Sequence, residues 1–179
     1  WDGNGDGYAS LGYKNYGAFW MTGGTVDLTT TWGARVGQTG GADMYVGGGT
    51  MSMYADVTAH GARHLVLGND ANNVTAGNPY TVTVDGANTE LRVRGLVYAT
   101  AANAVLNVIN GATLGADSIY KGANGTGFTL NFDGGILKPT YYGSVMSDTA
   151  NSPAVLVQDG GMVVDTVDTV GDDGKIALS

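Results

Sequence analysis

The first residues able to do chemistry are Asp2, Asn4 and Asp6. In Asp2-Gly-Asn-Gly-Asp-Gly7 alternate oxygens can converge on one ion, as in the first half of a calcium loop. A loop of that kind needs a bidentate acid at its twelfth position, where this chain has Tyr13. The segment therefore reads first as a glycine-rich turn and second as a calcium site. His60 and His64 stand four apart, but Gly61 between them breaks the helix that would aim both at zinc. No glutamate follows His60 to act as a base. An exposed loop is the plainer reading of that pair. Glu90, Arg92 and Arg94 alternate, so they project from one face of a strand. They read as a solvated face with charge pairs; the catalytic alternative is a base that removes a proton α to a carboxylate. Asp172-Asp173 could supply paired carboxylates for glycoside cleavage, but no accompanying carboxylate motif is found. The chain has no nucleophile elbow, phosphate loop or dinucleotide fingerprint.

The aromatic residues are unevenly placed. Of 16, nine fall within the first 54 positions: Trp1, Tyr8, Tyr13, Tyr16, Phe19, Trp20, Trp32, Tyr45 and Tyr54. Exposed Trp and Tyr would offer sugar rings a flat apolar surface with a polar edge. Packed inward, the same residues would seal the end of a core, and that is the reading the concentration favours. If a ligand binds, the expected carbohydrate site combines Trp20, Trp32, Tyr45 and Tyr54 with the short amides and acid of Asn69, Asp70, Asn72 and Asn73, which can bond sugar hydroxyls.

Composition narrows the partners. The formal charge is −8 and only 8 residues are basic, which disfavours a nucleic acid, since phosphate binding needs clustered Lys and Arg. No cysteine is present, so disulfides and thiolate metal sites are excluded. No apolar run approaches a membrane span, so membrane insertion by this segment is not expected. Of 16 acidic residues only Glu90 is a glutamate, and the 31 glycines accompany just 3 prolines. Aspartate and glycine favour turns where glutamate favours helix. Trp1 is not an initiator, so the chain reads as a segment of a longer protein.

The elements that must position these residues repeat. Phe19-Trp-Met-Thr-Gly-Gly24 is echoed by Met44-Tyr-Val-Gly-Gly-Gly49, Thr81-Val-Thr-Val-Asp-Gly86, Leu106-Asn-Val-Ile-Asn-Gly111, Leu130-Asn-Phe-Asp-Gly-Gly135 and Leu156-Val-Gln-Asp-Gly-Gly161. Subtracting the final glycine numbers in turn gives steps of 25, 37, 25, 24 and 26. Each copy alternates apolar and polar residues over a short run, the signature of a strand with one dry face. A turn of about 25 residues with two or three strands is the size of a parallel β-helix coil. The expectation is an all-β parallel β-helix, a single segment over residues 1–179, with its glycine anchors in one column. Val26, Val46, Val84, Val108, Phe132 and Val157 should form a core ladder. The long step predicts a loop insertion around 56–79, on one face of the solenoid.

Several of these stretches resemble a known family. Val36-Gly-Gln-Thr-Gly-Gly-Ala-Asp-Met-Tyr-Val-Gly-Gly-Gly-Thr-Met51 looks like the coil unit of autotransporter-like passenger β-helices. Phe128-Thr-Leu-Asn-Phe-Asp-Gly-Gly-Ile-Leu-Lys138 and Val155-Leu-Val-Gln-Asp-Gly-Gly-Met-Val-Val-Asp165 are similar to the segment preceding autotransporter-associated β-strand repeats of large bacterial surface proteins. The resemblance implies a right-handed helix and a secreted or cell-surface bacterial protein. The leading function is a structural or adhesive one without catalysis, since no catalytic constellation is found. A carbohydrate-binding module, recognising a polysaccharide or host-cell glycan through the N-terminal aromatics, is the alternative. A polysaccharide lyase or glycosidase stands third. No cofactor is expected beyond the calcium already weighed.

Overall fold

The computed structural model describes residues 7–30, 32–53, 63–68, 79–122, 127–140, 143–146, 151–165 and 176–177. They form an all-β solenoid of about 5 turns. The first turn shows how one coil is made. β1 (Tyr8–Leu11), β2 (Gly17–Met21) and β3 (Thr25–Asp27) are short strands separated by corners rich in glycine. Each is followed about 25 residues later by a strand lying parallel to it. Tyr8 pairs with Gly33, Gly17 with Ala42 and Thr25 with Thr50. Three strand ladders therefore run along the solenoid as three faces.

The second and third turns comprise β4 (Gly33–Val36), β5 (Ala42–Met53), β6 (His64–Leu67) and β7 (Tyr80–Ala99). β5 bends around one corner and β7 around two, with register shifts at Gly47/Gly49 and Val93/Leu96. β8 (Ala104–Ile109), β9 (Thr113–Lys121), β10 (Thr129–Asp133) and β11 (Gly135–Pro139) continue the stack. β12 (Gly143–Ser144), β13 (Ala154–Val157), β14 (Met162–Val164) and β15 (Ile176–Ala177) follow. Face A holds β2, the start of β5 and of β7, then β8, β10 and β13. Face B holds β3, the end of β5, the middle of β7, the start of β9, then β11 and β14. Face C begins with β1, β4 and β6 and continues through the ends of β7 and β9.

Alternation decides what each face buries. On face A, Met21, Val46, Val84, Val108, Phe132 and Val157 are successive partners. This is the expected ladder with one replacement. Val26 belongs instead to face B, where it pairs with Met51, which pairs with Leu91 and in turn with Leu114 and Leu137. The corner between β2 and β3 moves Val26 off the face that carries Met21. Face C adds Ala34, Leu65, Val97 and Ile119. Burial is near complete along the middle turns and fails at the end, where Val157 is 54% exposed.

The glycine anchors share a corner but not one column. Gly49 stacks on Gly24: with φ at +82°, a Cβ there would collide with the Gly24 carbonyl oxygen. Beyond that pair the register drifts. Gly49 is opposite Thr89, three residues past Gly86, and Gly135 is opposite Met162. Asn110 takes a φ of +55° just before Gly111, a left-handed conformation that asparagine tolerates better than most residues. Corner residues are thus added or removed to suit each turn, while the strands keep their pairing.

Part of the interval 56–79, expected as inserted loop, is core strand. β6 lies between the two stretches outside the described residues, with Leu65 and Leu67 fully buried. It pairs with β4 on one side and β7 on the other. The extra length is therefore divided between the stretches of chain on either side of β6.

Candidate functional site

Outward residues of face A lie in register just as the core residues do. Trp20 and Tyr45 are direct partners in β2 and β5, side by side on adjacent strands about 4.8 Å apart. Trp20 is 60% exposed. Two positions earlier in β5, Asp43 faces the same way, and Tyr16, 55% exposed, donates its hydroxyl hydrogen bond to Asp43 Oδ2 at 2.6 Å. Tyr45 donates in turn to Asp85 Oδ2 at 2.9 Å, while Asn110 donates to Asp85 Oδ1 at 2.8 Å. Both phenols are shifted upward from the ordinary tyrosine value, chiefly because they donate to a carboxylate. Each tyrosine thus remains a neutral donor that fixes the orientation of an acid.

The row continues through Thr83, Asn107 and Asn131, successive partners of Tyr45 in the ladder. Asn131 Nδ2 donates to Asn107 Oδ1 at 2.8 Å, and Asn107 Nδ2 donates to Thr83 Oγ1 at 3.1 Å. These two bonds run in the same direction, an arrangement in which neighbours polarise one another. Asn131 Oδ1 is buried and accepts no hydrogen bond. At the N-terminal end, an open cleft of about 410 Å³ is lined by residues 10–17, with Tyr16 in its wall. Tyr16 therefore joins the cleft to the row.

The aromatics expected to act together are divided. Trp20 and Tyr45 meet on face A. Trp32 lies at the corner that precedes β4, 48% exposed, with its indole against Gly7. Phe19 turns inward and packs on the core, as a sealing residue should, but Trp20, Tyr16 and Trp32 do not. Tyr54, Asn69, Asp70, Asn72 and Asn73 lie outside the described residues, as do Asp2, Asn4 and Asp6 of the calcium reading. Sequence reasoning missed Asp43 and Asp85 as partners of the aromatics. The available signal was parity: Asp43 and Tyr45 are two apart in one strand and share a face.

Of the other candidates, His60, Asp172 and Asp173 lie outside the described residues, and Glu90, Arg92 and His64 take structural roles. Arg92 pairs with Glu90 at 2.5 Å on face B, and partly exposed pairs of this kind contribute little. His64 is not in an exposed loop, because it opens β6. Its Nδ1 accepts the Leu96 amide at 3.1 Å, and its ring meets the edge of Tyr98 at 5.9 Å. Burial lowers its pKa, opposed by the charge of Asp117. On face C, Tyr98 stacks on Tyr120 at 5.2 Å, and Arg35 lies over the Tyr8 ring at 4.3 Å. No protein-family model, no curated protein and no solved structure matches the chain.

Proposed function

We propose that this chain is a non-enzymatic structural segment, a stiff β-solenoid spacer within an extended bacterial surface or secreted protein. The observation that supports it most is the unbroken ladder from Met21 to Val157, along which each described strand pairs in parallel with the strand of the next turn. Such a body transmits position along its axis, because bending it requires opening parallel ladders and parting buried side chains. The extracellular, bacterial setting rests on the resemblance of the coil units to passenger β-helices. Single-molecule pulling on the chain held between two reference domains tests the role. A spacer keeps its length under low load and then yields in cooperative steps. Gradual lengthening from the lowest forces would contradict it.

A second reading, glycan binding, is favoured by one observation: Trp20 and Tyr45 are in register on one face with oriented carboxylates beside them. Incubation with a panel of plant, algal and host polysaccharides separates the readings. Retention without cleavage supports a binder. New reducing ends or unsaturated products would show an enzyme and overturn the proposed role.

A further inference from the structure

We propose that the outward row of face A binds a neutral, linear polysaccharide laid along the solenoid axis. This deepens the glycan-binding reading and rests on it. The ligand would cross Trp20 and Tyr45 and continue over Thr83, Asn107 and Asn131. Direction follows from register. These residues are successive partners in five adjacent strands, so they form a line about 19 Å long at about 4.8 Å per step. A compact ligand would engage one or two of them. An extended chain can engage all.

The two ends of the row differ in chemistry and suit different parts of a sugar. Trp20 and Tyr45 offer ring faces on which the apolar C–H side of a pyranose can stack. Asp43 and Asp85 lie beside them, turned by Tyr16 and Tyr45, and a carboxylate held in place is a strong acceptor for sugar hydroxyls. Further along, the amide N–H groups that link Asn131 to Asn107 and Asn107 to Thr83 hold these side chains in one orientation. Thr83 Oγ1 accepts from Asn107 and so keeps its own proton for a ligand. A polar row fixed before binding loses less conformational entropy when the ligand arrives.

Charge selects the ligand class. The outward positions of the described face A strands carry Asp43, Asp85 and Asp133 and no lysine or arginine. Cations sit on the other faces, among them Arg92 and Lys138 on face B and Arg35 on face C. Lys14 lines the cleft beside Tyr16, outside these strands. A uronate or sulfated chain laid along the row would therefore meet fixed negative charge with no cation on its strands to offset it, whereas a neutral chain would not.

The test is affinity electrophoresis and calorimetry of the whole chain with soluble neutral glucans, mannans and galactans, and with polygalacturonate as the acidic probe. Wild type, Trp20→Ala, Asn107→Ala and Trp32→Ala are compared, with thermal melts confirming that each is folded. The expected result is binding to a neutral polymer, weakened about tenfold or more by Trp20→Ala. Asn107→Ala should also weaken it, and Trp32→Ala, at another corner, should leave it unchanged. Affinity for oligomers of that polymer should rise with length and level off once they span the row. Neutral-polymer binding that survives both Trp20→Ala and Asn107→Ala overturns the row while leaving glycan binding intact. Preference for polygalacturonate overturns the ligand class. Failure of the folded wild type to bind any member of the panel overturns both.

Discussion

Gly49 packs its α-carbon against the carbonyl oxygen of Gly24 in the turn below, a separation that no side chain on Gly49 could share. The same carbonyl accepts the amide of Thr50 at 3.0 Å, so the contact and the ladder bond depend on one another. Gly49→Ala would place a Cβ inside that oxygen and force an L residue to hold φ at +82°. The conformation alone costs about 1–2 kcal/mol, and displacing the carbonyl adds to it. Gly23→Ala, with open space around its Cβ position, should change stability by less than about 0.5 kcal/mol. Paired denaturant titrations check the difference.

Phe132 and Val157 are ladder partners with opposite burial. Phe132→Ala leaves a cavity between turns and should cost about 3–5 kcal/mol. Val157→Ala removes a side chain already 54% exposed and should cost well under about 1 kcal/mol. Similar losses for the two would mean that the core does not weaken toward the last described turns.

His64 makes stability depend on pH. Its native pKa lies below the ordinary value of 6.5 because burial disfavours the imidazolium, and protonating Nδ1 would also remove the acceptor for the Leu96 amide. Below 6.5 the unfolded chain therefore binds a proton that the native chain resists. The contribution is complete above 6.5 and is lost as pH falls through the native value. Melting temperature should drop between pH 7 and 5.5, and the drop should be smaller in His64→Gln, measured relative to its own value at pH 7. Equal slopes in both proteins would remove His64 as the cause.

Much of this fold was legible because two periods coincide. Alternation within a strand and a step near 25 together placed Val46, Val84, Val108, Phe132 and Val157 in one ladder. Val26 was misassigned because three faces with the same alternation cannot be told apart once a corner of variable length intervenes. Gly86 and Gly111 left the expected column for the same reason, since corners absorb extra residues without disturbing strands. β6 was legible only at its end, where Leu67-Gly68 echoes Leu11-Gly12 and Val36-Gly37; Leu11, Val36 and Leu67 are partners in one ladder. No glycine of the Gly24 type marks its start, so the interval around it reads as loop. For the candidate row, Trp20 and Tyr45 stood out by residue type alone. Asp43, Asp85 and Asn107 did not, because an outward aspartate or asparagine looks like any solvated residue until register puts it beside an aromatic ring.

The measurement that bears most directly on the solenoid spacer is a distance between spin labels at Ala18→Cys and Ala154→Cys. The chain has no other cysteine, and both alanines are exposed on face A. Ala18, Asp43, Thr81, Val105, Thr129 and Ala154 are successive ladder partners. Five steps of about 4.8 Å put the two Cα atoms about 24 Å apart. The expected result is a single narrow distribution at that span plus the reach of the label tethers, unchanged by mild denaturant until the protein melts cooperatively. A broad distribution in native buffer, or a mean that lengthens steadily before melting, would contradict a stiff solenoid.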